Sequence, residues 1–119
     1  MSYVIAEIGN NHEGDITWAK QAIVSAKKCG ADAVKFQAIN PRSLVNATAR
    51  KDRVKALESL CLPPQAFCEL FSFAKVHEID FGVSFFDTET CQMLPAFDFA
   101  KIASSDCDNL KVLEATQGF

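Results

Sequence analysis

The sequence has no long hydrophobic run. Its apolar stretches are a handful of residues each, far short of the roughly 20 that a helix needs to cross a bilayer, so no membrane partner is expected. It has no basic cluster either: 12 lysines and arginines stand against 15 acidic residues, spread along the chain, for a net charge of -3. With no basic stripe to neutralise phosphates, nucleic acid is not an expected partner. Small anions remain open, since such sites need only two or three local cations. The cysteines (Cys29, Cys61, Cys68, Cys91 and Cys107) are odd in number and contain no CxxC pair. That argues against a zinc site or a disulfide framework and predicts reduced thiols in a cytoplasmic protein. The start, Met1-Ser2-Tyr3-Val4-Ile5-Ala6-Glu7, lacks a basic segment and a small-residue cleavage site, and reads directly as a strand rather than a signal peptide.

Internal repeats, low-complexity tracts and flexible linkers are also missing. What is present is an alternation of short apolar runs with helical stretches, in a chain long enough for one core. Strands are predicted over 3–8, 33–37, 80–84 and 98–103. Helices are predicted over 16–28, with Asp15 as cap and Gly30 closing it, then near 52–61, from Pro63-Pro64 to about His77, over 88–94, and from Asn109 onward. Asn40-Pro41 marks a turn. Strand and helix alternating at this spacing predict right-handed βαβ units and a parallel sheet. Four such units are half of an eightfold barrel of about 250 residues. The fold class expected is therefore α/β, a parallel (β/α) barrel of which residues 1–119 hold the first four units, with the chain stopping where a helix should hand over to a fifth strand.

Side chains alternate along a strand, so each strand divides into two faces. Val4, Ala6 and Ile8, then Val34 and Phe36, then Phe81, Val83 and Phe85, then Ala100 and Ile102 form an apolar face for the helices to cover. The other face carries Glu7, Lys35, Gln37, Ser84 and Lys101, all near the C-terminal ends of their strands, where barrels and open α/β sheets place their sites. A single strand lysine can be a solvated edge residue. Two lysines, a glutamate and a glutamine at matching positions are better explained by a shared anionic ligand, because burying such charges unpaired costs several kcal/mol each, on the order of the penalties for isolated ions. Gly9-Asn10-Asn11-His12-Glu13-Gly14 is a second polar concentration. His12 can be a proton donor, a ligand or a loop-capping group, and a lone His-Glu pair makes it a weak metal candidate. His77, at a helix end, reads as structural. Ser104-Ser105-Asp106 can cap the next helix or present hydroxyl and N–H groups to a phosphate.

Three ordered motifs carry a resemblance: Ile5-Ala6-Glu7-Ile8-Gly9-Asn10-Asn11-His12-Glu13-Gly14, Gly30-Ala31-Asp32-Ala33-Val34-Lys35-Phe36-Gln37 and Ala100-Lys101-Ile102-Ala103-Ser104-Ser105-Asp106. Together they resemble the N-acetylneuraminate (sialic acid) synthase family, which includes the legionaminic and pseudaminic acid synthases. The resemblance implies a barrel enzyme that condenses phosphoenolpyruvate with an open-chain N-acetylated sugar, N-acetylmannosamine or a relative, and releases phosphate. It also implies a divalent metal, Mn2+ or Mg2+, whose two histidine ligands lie on later strands, so no metal ligand is expected in this chain beyond the weak candidate His12. Carried over, Lys35 and Lys101 look like the cations that hold phosphoenolpyruvate, with Ser84 and Ser104 as hydroxyl partners. Glu7 looks like the catalytic carboxylate beside the sugar carbonyl, and Gln37 and Asp106 look like sugar contacts. Two features depart from the family pattern. Val83-Ser84-Phe85-Phe86 stands where Ser-Thr-Pro-Phe is usual, and the stretch from Gln37 to Pro64 is short. A homo-oligomer is expected, and the isolated chain is expected to be inactive. The alternatives are a Schiff-base aldolase using Lys35 or Lys101, and a non-catalytic fragment that only associates or binds anions.

Overall fold

The computed structural model describes residues 1–44 and 50–119. Four short segments pair into one parallel sheet in the order β1 (Ile5–Gly9), β2 (Ala33–Ala38), β3 (Asp80–Phe85) and β4 (Phe99–Ile102). The links are α1 (Ile16–Lys28), then α2 (Pro41–Leu44), α3 (Lys51–Glu58) and α4 (Pro64–Val76), then α5 (Thr88–Met93). After β4 come a 3-10 turn, Ser104–Asp106, and α6 (Leu110–Ala115). Each strand pairs in sequence order, so the alternating pattern translates directly into topology. β1 and β4 each have one neighbour among the described residues.

The apolar face is the one the helices cover. Val34, Phe36, Phe81, Val83 and Phe85 are fully buried and pack against Ala19 and Ile23 of α1 and Phe67, Leu70 and Ala74 of α4. Phe36 stacks on Phe81, with ring centroids 5.3 Å apart, and Phe97 meets Phe81 edge-on at 5.1 Å, the offset and T-shaped geometries that aromatic quadrupoles favour.

Helix ends follow their local chemistry. Asp15 Oδ1 accepts the N–H groups of Thr17 and Trp18 at the start of α1, satisfying donors with no partner inside the helix. Gly30 closes α1 at φ +86°, with Gly30 N–H donating to Lys27 and Ala31 N–H to Ala26, a Schellman ending. α4 ends the same way, with Glu78 N–H donating to Lys75 and Ile79 N–H to Ala74, but the left-handed position is held by Glu78 at φ +55°. One expectation is corrected here. Ser104-Ser105-Asp106 forms its own 3-10 turn, and the cap of α6 is Asn109, whose Oδ1 accepts from Val112 N–H. The helix predicted near 52–61 is shorter, Lys51–Glu58, and the turn at Asn40-Pro41 continues into the single turn of α2.

At the N-terminal ends of the strands an aspartate precedes each of β2 and β4, and one opens β3. Asp32 accepts from Val4 N–H at 2.7 Å, and Asp98 accepts from Phe81 N–H at 2.8 Å. Asp80 accepts the Tyr3 hydroxyl at 2.5 Å, and Lys75 bridges Asp80 and Asp98. These contacts supply partners for backbone and charge at one rim of the sheet.

Candidate active site

On the uncovered face the register stacks side chains in two rows. Glu7 pairs with Lys35 and Lys35 with Gly82, which in turn pairs with Phe99. One step further along, Gln37 pairs with Ser84 and Ser84 with Lys101. Gly82 is required in the first row because the Phe99 ring lies where its β-carbon would be. Phe99 thus floors the site and the polar groups stand around it.

Lys35 is the centre. It is only 3% exposed, and its ammonium donates to Ser84 Oγ across the sheet and pairs with Glu7 Oε2 at 3.0 Å. An unpaired buried ammonium would be costly, and here a carboxylate and a hydroxyl offset that cost. An ammonium has three N–H donors, so this arrangement leaves one for a ligand. The Glu7 side chain is itself 54% exposed, which leaves its carboxylate open to the cleft. Lys101 is exposed, with Nζ 3.5 Å from the Ile102 carbonyl. It lines the same cleft of about 460 Å³ as Ile5, Glu7, Lys35 and Phe99. A slightly larger hollow of about 490 Å³ lies among Ala38, Pro41, Leu62, Phe67 and Met93. It is lined mainly by apolar groups and holds neither lysine, so the smaller cleft is the one equipped for an anion.

The end of β1 is shaped to serve this cleft. Between Glu7 and Gly9 the pairing skips a residue, so Gly9 rather than Ile8 faces Phe36. Bulges of this kind re-aim side chains at site rims. Gly9 adopts φ +57° and passes between two site residues: a β-carbon there would lie 3.4 Å from Glu7 Oε1 and 3.7 Å from the Gln37 carboxamide carbon. Asn10 Nδ2 then donates to Gln37 Oε1 at 3.1 Å.

The structure thus puts Lys35 in direct contact with both Glu7 and Ser84 and sets Lys101 on the same cleft, with Gln37 one row further along. Ser104 and Asp106 lie beyond the end of β4 in the 3-10 turn; Ser104 is exposed, and Asp106 Oδ1 accepts from Asn109 Nδ2 at 3.2 Å. His12 is elsewhere. It is 2% exposed, its ring sits 6.0 Å from that of Phe36 on the helix-covered side, and its Nδ1 accepts from Gly14 N–H at 3.0 Å. Burial lowers its pKa, and the proton of the neutral ring sits on Nε2, which is buried without a partner. As for a metal, among the described residues no three His, Cys, Asp or Glu side chains converge. Glu7 is engaged with Lys35 and His12 with its own loop, so the residues present do not fit a metal centre by themselves. His77 Nδ1 donates to the Phe73 carbonyl at 2.9 Å, a helix-end role. The sequence marks Asn10 only as part of its polar loop, without its contact to Gln37, and does not mark Gly82 or Phe99; an isolated glycine inside a strand is the available signal for a close approach.

A four-stranded parallel sheet, with helices on one face and a lysine-centred polar cleft on the other, defines an α/β protein with a candidate site at the strands' C-terminal ends. The NeuB family model matches residues 22–119, and the chain belongs to that family of sialic acid synthase-type proteins. It is 34% identical to the N-acetylneuraminate-9-phosphate synthase of Mus musculus over 96% of this chain and 35% of that protein. It is 32% identical to the N,N'-diacetyllegionaminic acid synthase of Legionella pneumophila over 94% of this chain and 35% of that protein. In structure it is similar to the N-acetylneuraminic acid (sialic acid) synthetase of Leptospira borgpetersenii serovar Hardjo-bovis, solved in complex with citrate. The TM-score is 0.86 and the identity 32%, over 95% of this chain and 40% of that one. The chain spans about a third of the length of the curated relatives it matches.

Proposed function

We propose that this chain is the N-terminal half of a (β/α)8 barrel that condenses phosphoenolpyruvate with an open-chain N-acetylated sugar, N-acetylmannosamine or a close relative. The observation that carries the reading is the buried Lys35 ammonium, held between Glu7 and Ser84 with Lys101 on the same cleft. Two cations facing one small cleft suit an anion with both a carboxylate and a phosphate. Lys35, Lys101, Ser84 and Ser104 hold phosphoenolpyruvate; Glu7 stands beside the sugar carbonyl; Gln37 and Asp106 contact the sugar. The methylene carbon of phosphoenolpyruvate attacks the sugar aldehyde, and the carbonyl oxygen takes a proton. The resulting oxocarbenium carbon is attacked by water, which loses a proton, and the tetrahedral adduct expels phosphate to leave a 2-keto acid. A preorganised pair of ammonium groups stabilises this most where charge shifts between the enol and phosphate oxygens. The divalent metal, Mn2+ or Mg2+, would take its ligands from outside these residues, and no step here is routed through it.

The ion pair of Lys35 with Glu7 supports the anion-holding role over that of a Schiff-base nucleophile, which needs a free amine. Borohydride trapping with pyruvate tests this: incorporation at Lys35 or Lys101 would favour the aldolase. The reading as a whole is tested in a polypeptide of the relatives' full length that carries this segment. Phosphate release should require both phosphoenolpyruvate and the N-acetylated sugar; release without sugar, or none with either, would overturn it.

A further inference from the structure

Gln37 stands one row beyond the cleft lining, in register with Ser84; its carboxamide has a carbonyl oxygen that accepts and an amide nitrogen that donates, and which of them is left free decides what it can recognise. The oxygen is taken: Asn10 Nδ2 donates to it at 3.1 Å. Asn10 follows the bulge after Glu7 and the left-handed Gly9, where a β-carbon would lie 3.4 Å from Glu7 Oε1 and 3.7 Å from the Gln37 carboxamide carbon. The opposite assignment of both amides would bury the Asn10 NH2 in place of its Oδ1, the atom that is buried without a partner. Orphaned N–H groups are rarer than under-satisfied carbonyls, so the orientation given is the favoured one. Among the described residues the Gln37 amide nitrogen has no competing acceptor.

We infer that Asn10 is a positioning residue that locks Gln37 as a hydrogen-bond donor to the substrate, so that the second substrate must present an acceptor, a hydroxyl or carbonyl oxygen, at this point. The inference rests on the proposed function for the identity of that substrate, but the lock itself does not.

The test is Asn10→Asp in the full-length polypeptide. A carboxylate at residue 10 can only accept, so Gln37 turns over, donates its amide to residue 10 and leaves its oxygen, rather than its nitrogen, free for the substrate. The KM for the N-acetylated sugar should rise about tenfold, the size of one lost hydrogen bond, while the KM for phosphoenolpyruvate stays unchanged. In a Gln37→Ala background the same substitution should have no further effect, because the two residues act through one contact. The side-chain amide proton spectrum of nitrogen-labelled protein gives a readout independent of turnover: the Gln37 amide protons should move downfield in Asn10→Asp. An unmoved Gln37 amide, an effect that adds to that of Gln37→Ala, or an equal rise in both KM values would overturn the inference. Absence of sugar-dependent turnover in the parent protein would count against the proposed function alone, with the amide spectrum still deciding the lock.

Discussion

A buried charge and a buried neutral ring do opposite things to this molecule. Lys35 is buried in a partnered setting, with Glu7 3.0 Å away and Ser84 accepting from it, and Ser84→Ala should loosen the ammonium and weaken phosphoenolpyruvate binding without unfolding the protein. His12 is the reverse case. Its pKa is lowered by burial, so the unfolded chain takes up a proton more readily than the folded one. Its contribution to stability is therefore present above the ordinary value of 6.5 and lost as pH falls below it. Denaturant titrations of the protein and of His12→Asn, whose oxygen can replace Nδ1 as acceptor for Gly14, should show the wild type's advantage narrowing from pH 7.5 to pH 5.5. A constant difference would mean that His12 is not buried as a neutral ring. The shared face of Lys35, Gln37, Ser84 and Lys101 was legible in the sequence because strand alternation dictates it. The contact of Lys35 with Ser84 was not, since it joins successive rows and depends on a register that only pairing fixes.

Among elements, the two Schellman endings offer an internal comparison. α1 puts Gly30 at the left-handed position and α4 puts Glu78 there, where a β-carbon costs roughly 1 kcal/mol. The Glu78 carbonyl accepts from Lys27, a contact that glycine retains. Glu78→Gly is expected to stabilise the protein by up to about 1 kcal/mol, the strain term less the added freedom of the unfolded chain. Gly82→Ala should do the opposite, because the new methyl collides with the Phe99 ring; overpacking of this kind costs typically about 1–3 kcal/mol. Thermal unfolding of the two variants checks both signs. The strands and longer helices could be read from periodicity, and Gly30 from composition. The end of α4 could not, since nothing in Val76-His77-Glu78 announces a left-handed glutamate. Nor could the bulge at Gly9, which places Asn10 over Gln37 by backbone geometry rather than by any residue pattern.

For the molecule as a whole, the two rims of the sheet divide the labour. The rim formed by Tyr3, Lys75, Asp80 and Asp98 holds strands together. Partial burial and the bond to Asp80 push the Tyr3 hydroxyl up to about 12, while the Tyr3 bond, reinforced by Lys75 against the opposing effect of burial, holds Asp80 below its ordinary value. For Tyr3 the folded state keeps its proton longer than the unfolded one, so its contribution is full below pH 10.0 and lost towards about 12. Tyr3→Phe should remove that loss, and the gap between the two proteins should shrink from pH 8 to pH 11. The opposite rim carries Lys35 and Lys101, and the proposed chemistry depends on it. The 119-residue chain alone is expected to release phosphate from phosphoenolpyruvate only at background rates with N-acetylmannosamine and manganese. The most direct test is a calorimetric titration of phosphoenolpyruvate into the full-length polypeptide and its Lys35→Met and Lys101→Met variants. Loss of one charge-assisted hydrogen bond, roughly 1.5–3 kcal/mol, predicts affinity about ten- to a hundredfold weaker in each, with the double variant less than additive because both cations act on one ligand. Unchanged affinity in Lys35→Met would contradict the claim that this buried ammonium holds the anion.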